Sequence, residues 1–138
     1  MNCRGATEPN LATKAYHASE SVDVMSVFDY FVNHQHRPIV VVGYSLGGSM
    51  TIKTLADLGQ HPRLLAGVAV STPLELAVCA KRLDSGLSMI YRKHLLDGLH
   101  TLWYAKLRYL ENTGQVQQAQ QIEHCLTHAP FKSFWQFE

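Results

Sequence analysis

Apolar residues recur at three- and four-residue steps from Val22 through Met25, Phe28 and Phe31 to Val32. That spacing lines one face of a helix and predicts an amphipathic helix ending near Asn33. Ser19 or Ser21 stands where an N-cap is wanted. The polar connector His34-Gln35-His36-Arg37-Pro38 follows, and its proline ends the helix. The pattern then changes. Ile39 to Gly43 is apolar and β-branched on both faces, which fits a strand covered on both sides, as in a parallel sheet layered by helices. Leu46 to Leu58 returns to helical spacing, with Met50, Ile52, Leu55 and Leu58 at the apolar positions, and Gly59-Gln60-His61-Pro62 closes it. Leu64 to Val70 reads as a second strand of the same buried type, stopped by Ser71-Thr72-Pro73.

Helix, strand, helix, strand is the signature of a parallel α/β layer with right-handed crossovers. Ahead of it, residues 2–16 hold Gly, Thr, Pro and Asn with few bulky apolar groups and read as a loop. Beyond Pro73 the pattern is helical throughout. Leu74 to Leu83 is one helix, Leu95, Leu99, Leu102, Trp103, Leu107 and Leu110 form a helical stripe, and Gln115 to Leu126 is another helix. The expected organisation is a partial α/β core over 1–73 and a helical, cap-like segment over 74–138, one incomplete domain in all. No third strand is legible. Two parallel strands leave two edges of unpaired backbone groups, so the sheet is expected to be incomplete here or completed by another chain, and its open edges allow self-association.

Composition narrows the classes. The chain has 138 residues, 46% of them hydrophobic, and a formal net charge of +1, which suits one globular unit rather than a disordered one. The basic residues Arg92, Lys93, Lys106 and Arg108 are interrupted by Asp97 and Glu111, so no concentrated basic face for nucleic acid is expected. The longest apolar run, Ile39-Val40-Val41-Val42, is far too short for a membrane span. Residues 1–5 lack the apolar core of a signal peptide. The three cysteines, Cys3, Cys79 and Cys125, make no Cys-x-x-Cys pair, and a reducing cytoplasm is the expected location.

Chemistry concentrates at Gly43-Tyr44-Ser45-Leu46-Gly47-Gly48. The first five residues match Gly-x-Ser-x-Gly, with a strand before and a helix after. A serine on a sharp strand-to-helix bend is pushed above the sheet, where its hydroxyl meets a substrate. Close backbone approach explains glycine at 43 and 47. The backbone N–H of Leu46 lies at the helix start, where it faces a developing oxyanion. Ser45 is therefore the candidate nucleophile and Leu46 N–H the candidate oxyanion donor. A base, usually His held by an acid in the order Ser, acid, His, is also required. Asp57, Asp84 and Asp97, then His94, His100, His124 and His128, satisfy the order. Their setting is wrong, because each falls in a helical or loop pattern with no strand before it. His124 and His128 have the helical spacing of two metal ligands, but no Glu follows His124 and no third ligand is apparent. Cys3 beside Arg4 has no base placed near it. No metal and no cofactor is expected.

The chain resembles the YheT-like α/β-hydrolases. Asn2-Cys3-Arg4-Gly5, Glu8-Pro9-Asn10 and Ala15-Tyr16-His17 are similar to the segment after that family's fourth strand. Gly43-Tyr44-Ser45-Leu46-Gly47-Gly48-Ser49-Met50 is similar to its nucleophile elbow, and Val68-Ala69-Val70-Ser71-Thr72-Pro73-Leu74-Glu75-Leu76 to its next strand and exit. Ala80-Lys81-Arg82-Leu83-Asp84 and Ile90-Tyr91-Arg92-Lys93-His94-Leu95 resemble its cap region, and Phe131 to Glu138 the end of the cap. The loop Gly5-Ala6-Thr7-Glu8 is one residue shorter than the family's usual loop. The resemblance implies a partial α/β-hydrolase fold, parallel strands with flanking helices followed by a helical cap segment. It also implies a carboxylic-ester hydrolase whose second oxyanion donor, triad acid and triad His lie outside these residues, with Met1 an internal residue of a longer protein. Only Ser45 and the Leu46 N–H carry over. The expected partner is a small-molecule ester or acyl substrate. Two alternatives stand beside hydrolysis: acyl transfer to an acceptor other than water, and a non-catalytic remnant or interaction module that pairs through its sheet edges.

Overall fold

The computed structural model describes residues 1–3, 10 and 20–128, with the side chain of His128 excepted. Apart from residues 2, 3 and 10, the loop expected over 2–16 lies outside the described residues, as does the family-like stretch 131–138. The described residues fall into two compact units, 20–74 in one and 75–128 with 1–3 and 10 in the other.

In the first unit, α1 (Val22–His34) leads to β1 (Ile39–Tyr44), α2 (Leu46–Leu58) and β2 (Leu64–Val70). The two strands pair in parallel, from Ile39 opposite Leu64 to Tyr44 opposite Val70, with a register irregularity between Ile39 and Val40. Helix α2 packs on both strands and against α1. Phe28, Met50, Thr51 and Thr54 are buried in this layer, and Phe28 meets His61 edge-on with ring centroids 5.0 Å apart. Thr54 satisfies its buried hydroxyl by donating to the Met50 carbonyl, 2.8 Å away. The polar connector before β1 is tied down by Arg63. Its guanidinium donates to the Arg37 carbonyl at 2.7 Å and to that of Gln35, while Ile39 N–H donates to the Arg63 carbonyl at 2.7 Å.

Two expectations need correction here. Ser21 is the N-cap residue of α1, yet its side chain makes no cap bond. Its hydroxyl donates instead to Asp57 at the far end of α2, 2.7 Å away, because a long-range carboxylate acceptor is stronger than the local geometry offers. Among the described residues the strands are also not covered on both faces. Along β1 half-buried and exposed positions alternate, and Val40 (49%), Val42 (50%) and Leu65 (70%) are open. The period-2 alternation of a strand sends one set of side chains toward α2 and the other away from it. Among the described residues the sheet has two strands, and an apolar face of this kind is what a partial α/β layer presents.

The second unit is helical, with α3 (Leu76–Leu83), α4 (Ser88–Asn112) and α5 (Val116–His128). The leucine stripe lies on the single long helix α4, where Leu96 and Leu110 are buried together with Ala119 and Leu126 of α5. Gly114, at φ +72°, turns the chain between α4 and α5, and Gln115 N–H donates to the Leu110 carbonyl at 2.9 Å across that turn. The α3–α4 corner is held by an ion pair from Arg92 to Asp84 at 2.6 Å. Lys106 is buried, lies 5.4 Å from the Tyr109 ring centroid and donates to the Asn10 carbonyl at 2.7 Å; burial lowers its pKa.

Candidate active site

Ser45 occupies the single residue between β1 and α2. Its backbone has φ 51° and ψ −123°, and the residue is exposed. A side chain with a Cβ rarely takes a positive φ, and holding one there costs on the order of 1–3 kcal/mol. The surrounding bonds hold it: Ser45 N–H donates to the Val70 carbonyl at the end of β2, and Gly48 N–H donates to the Ser45 carbonyl, each at 2.9 Å. The strand therefore runs straight into a helix with no intervening loop, and the serine is the point of the bend. Leu46 is the first residue of α2, so its N–H is one of the four at a helix start that the helix leaves without an internal acceptor. The N-terminal end of the helix dipole adds partial positive charge at the same place.

Which glycines the bend needs differs from the sequence-based expectation. A Cβ on Gly43 would sit 2.1 Å from the Gly47 carbonyl oxygen and 2.3 Å from Thr51 Oγ1. A Cβ on Gly48 would sit 1.8 Å from Thr72 Oγ1 and 3.3 Å from the Gly43 carbonyl oxygen. At Gly47 a Cβ would meet nothing within 4 Å. The close approach is thus between residues 43 and 47 through the carbonyl of Gly47, and between residues 48 and 72. Gly47 itself, inside the five-residue pattern, has open space, while Gly48, just outside it, does not.

The three candidate aspartates are engaged elsewhere. Asp57 accepts from Ser21 and from Lys53, and those two donors, Lys53 first, lower its pKa below 3.8. It also lies twelve residues along α2 from Ser45, about 18 Å at the rise of a helix, too far to orient a base for that serine. Asp84 pairs with Arg92, and Asp97 with Lys93 at 2.6 Å. His94 and His100 are on α4, and His124 on α5. None of these histidines follows a strand. The side chain of His128 lies outside the described residues. Among the described residues no cluster of three His, Cys, Asp or Glu side chains is placed to hold a metal, and no helix is long and apolar enough to cross a membrane.

Comparison with known proteins bears on this geometry. The chain is 35% identical over 123 residues to "Putative esterase YheT" of Escherichia coli strain K12, a match covering 87% of this chain and 36% of that protein. It is 34% identical over 110 residues to an abhydrolase domain-containing protein of Dictyostelium discoideum, covering 75% of this chain and 28% of that protein. The chain thus spans about a third of the length of the curated relatives it matches. No family model and no solved structure matches it. A parallel β–α–β layer with flanking helices, in a chain aligned with these relatives, is a partial α/β-hydrolase fold. Within that class, the chain belongs to the YheT-like α/β-hydrolase family.

One feature beside this bend is not legible in the sequence. Ser71, after β2, has the same φ of 51° as Ser45, and Thr72 Oγ1 is buried against Gly48. The residues Ser71-Thr72-Pro73 were legible as a strand stop. Their packing on the first turn of α2 was not, because it depends on the register of two strands. The second glycine of Gly47-Gly48 was the available signal.

Proposed function

We propose that this chain supplies the nucleophile of a serine hydrolase acting on carboxylic esters. The observation that carries the reading is the exposed, positive-φ Ser45 at a bend with no loop between β1 and α2. In the reaction, the Ser45 hydroxyl gives its proton to a histidine base outside residues 1–138, and Oγ bonds to the ester carbonyl carbon. The carbonyl oxygen becomes an oxyanion that accepts a hydrogen bond from Leu46 N–H. Collapse expels the alcohol, which takes the proton back from the base, and leaves an acyl-enzyme. Water, activated by the same base, then releases the acid. Each of the base and the oxyanion donors is worth orders of magnitude in rate, so residues 1–138 alone are nearly inactive.

In this reading residues 1–73 are part of the hydrolase core and 74–138 a cap-like helical segment, and the substrate is a small-molecule ester. The free thiols of Cys79 and Cys125 suit a cytoplasmic location. Labelling with a fluorophosphonate serine probe tests the assignment, with the natural polypeptide that carries this chain compared with its Ser45→Ala variant. Labelling is expected to vanish in the variant; labelling that persists refutes the role of Ser45.

A second reading is favoured by one observation, the two open edges that a sheet of two strands leaves among the described residues. Here the chain is a non-catalytic module that pairs through its two-stranded sheet. Size-exclusion chromatography of residues 1–138 tests this reading: a well-behaved monomer removes the pairing module.

A further inference from the structure

Among the described residues five have positive φ: Gly59, Gly86, Gly114, Ser45 and Ser71. The three glycines stand beyond the ends of α2, α3 and α4, where glycine takes such a conformation freely. The two serines stand directly after the last residues of β1 and β2. Tyr44 and Val70 are cross-strand partners, so Ser45 and Ser71 are the next residues of two adjacent strands, at the same carboxyl end of the sheet. Neighbouring strands lie about 4.8 Å apart, and both serines are exposed. In open α/β sheets, ligands bind outside the carboxyl ends of the strands.

Ser71 is held in this conformation from both sides. The Val70 carbonyl before it accepts from Ser45 N–H at 2.9 Å. After it, Thr72 packs its buried Oγ1 against Gly48, and Ser49 Oγ lies 3.5 Å from the Pro73 carbonyl, at the long limit of a hydrogen bond. Strain that the surroundings over-determine in this way gathers at functional positions. The Thr72 hydroxyl is buried against Gly48 of α2 and makes no hydrogen bond there. Ser71 is the residue of the pair left open at the mouth of the sheet.

We propose that Ser71 is a second substrate-contacting residue of this site, its hydroxyl hydrogen-bonding the ester that Ser45 attacks. The proposal rests on the reading of Ser45 as the nucleophile and adds a residue that the Gly-x-Ser-x-Gly pattern does not contain. Losing one neutral hydrogen bond to substrate lowers kcat/KM by about three- to tenfold.

The test uses the natural polypeptide that carries residues 1–138, with p-nitrophenyl butyrate as substrate and a fluorophosphonate as probe, in wild type, Ser71→Ala, Ser71→Gly and Ser45→Ala. Ser71→Ala keeps the backbone requirement of serine and loses the hydroxyl. It is expected to lower kcat/KM and the labelling rate by that factor with an unchanged Tm. Ser71→Gly is expected to lose the same factor while its Tm rises, a combination that a purely structural role does not produce. Unchanged kcat/KM in Ser71→Ala beside an inert Ser45→Ala overturns the role of Ser71 alone. A wild-type protein that does not label, or a Ser45→Ala variant that still does, overturns the nucleophile and the role of Ser71 with it.

Discussion

Three single substitutions, Gly43→Ala, Gly47→Ala and Gly48→Ala, place one methyl group at three points of the same bend, and the structure orders their effects. At position 43 the methyl carbon would lie 2.1 Å from a backbone carbonyl oxygen. No rotamer relieves that contact; the first turn of α2 must move away from β1 by more than 1 Å, judged against an ordinary contact of about 3.4 Å. Overpacking in a fixed site costs about 1–3 kcal/mol, and a backbone clash sits at or above the top of that range. At position 48 the first obstacle is the Thr72 hydroxyl at 1.8 Å, which rotation of a side chain partly relieves, so about 1–2 kcal/mol is expected. At position 47 there is no obstacle, and alanine is the better helix former by up to about 1 kcal/mol. With an unfolding entropy of about 2.1 cal/mol/K per residue, 1 kcal/mol shifts Tm by about 3–4 °C in a chain of this length. Thermal unfolding followed by circular dichroism is therefore expected to rank Gly47→Ala at or slightly above wild type, Gly48→Ala some 3–7 °C below and Gly43→Ala about 10 °C below. If Gly47→Ala falls as far as Gly43→Ala, the bend is not built as described and the close approach has been assigned to the wrong residues.

Two further outcomes follow from the same unit. Ser45→Gly relieves on the order of 1–3 kcal/mol of backbone strain and loses about 0.4–1 kcal/mol to the greater freedom of glycine in the unfolded chain, so it is expected to be more stable than Ser45→Ala by about 0.5–2 kcal/mol in urea unfolding; a Ser45→Gly variant less stable than Ser45→Ala by about 0.4–1 kcal/mol would mean the bend is unstrained. Asp57 has a folded pKa below 3.8, lowered by hydrogen bonds from Lys53 and then Ser21, so its stabilising contribution is complete above pH 3.8 and is lost as pH falls through the lower folded value. The Tm difference between wild type and Asp57→Asn is expected to close below pH 3.8 and, as an exposed pair, to shrink in high salt; a difference that widens with acid would contradict the sign.

Much of the fold was legible because helices and strands carry different apolar patterns, a three- to four-residue spacing in one and an unbroken run in the other. The helical spacing of Met50, Leu55 and Leu58 against the unbroken run Ile39 to Val42 set α2 and β1 to within a residue, and the glycine–serine–glycine bend lay between them. Long-range packing was not legible. Ser21 reads as a cap and instead reaches Asp57, thirty-six residues away in sequence. Local sequence offers the hydroxyl a helix start, and only the fold offers it a carboxylate.

The same limit applies to the proposed site. Ser45 announces itself through neighbours one and two residues away. Ser71 has no local pattern; it joins the proposed site because Tyr44 pairs with Val70, a fact about two strands rather than about either one. Gly48 links the two readings, since its missing side chain is the space that Thr72 fills. A motif of five residues describes the bend of one strand, but a site at the ends of a parallel sheet is shared between adjacent strands. A residue like Ser71 is accordingly found by asking what stands in register with the proposed nucleophile, Ser45.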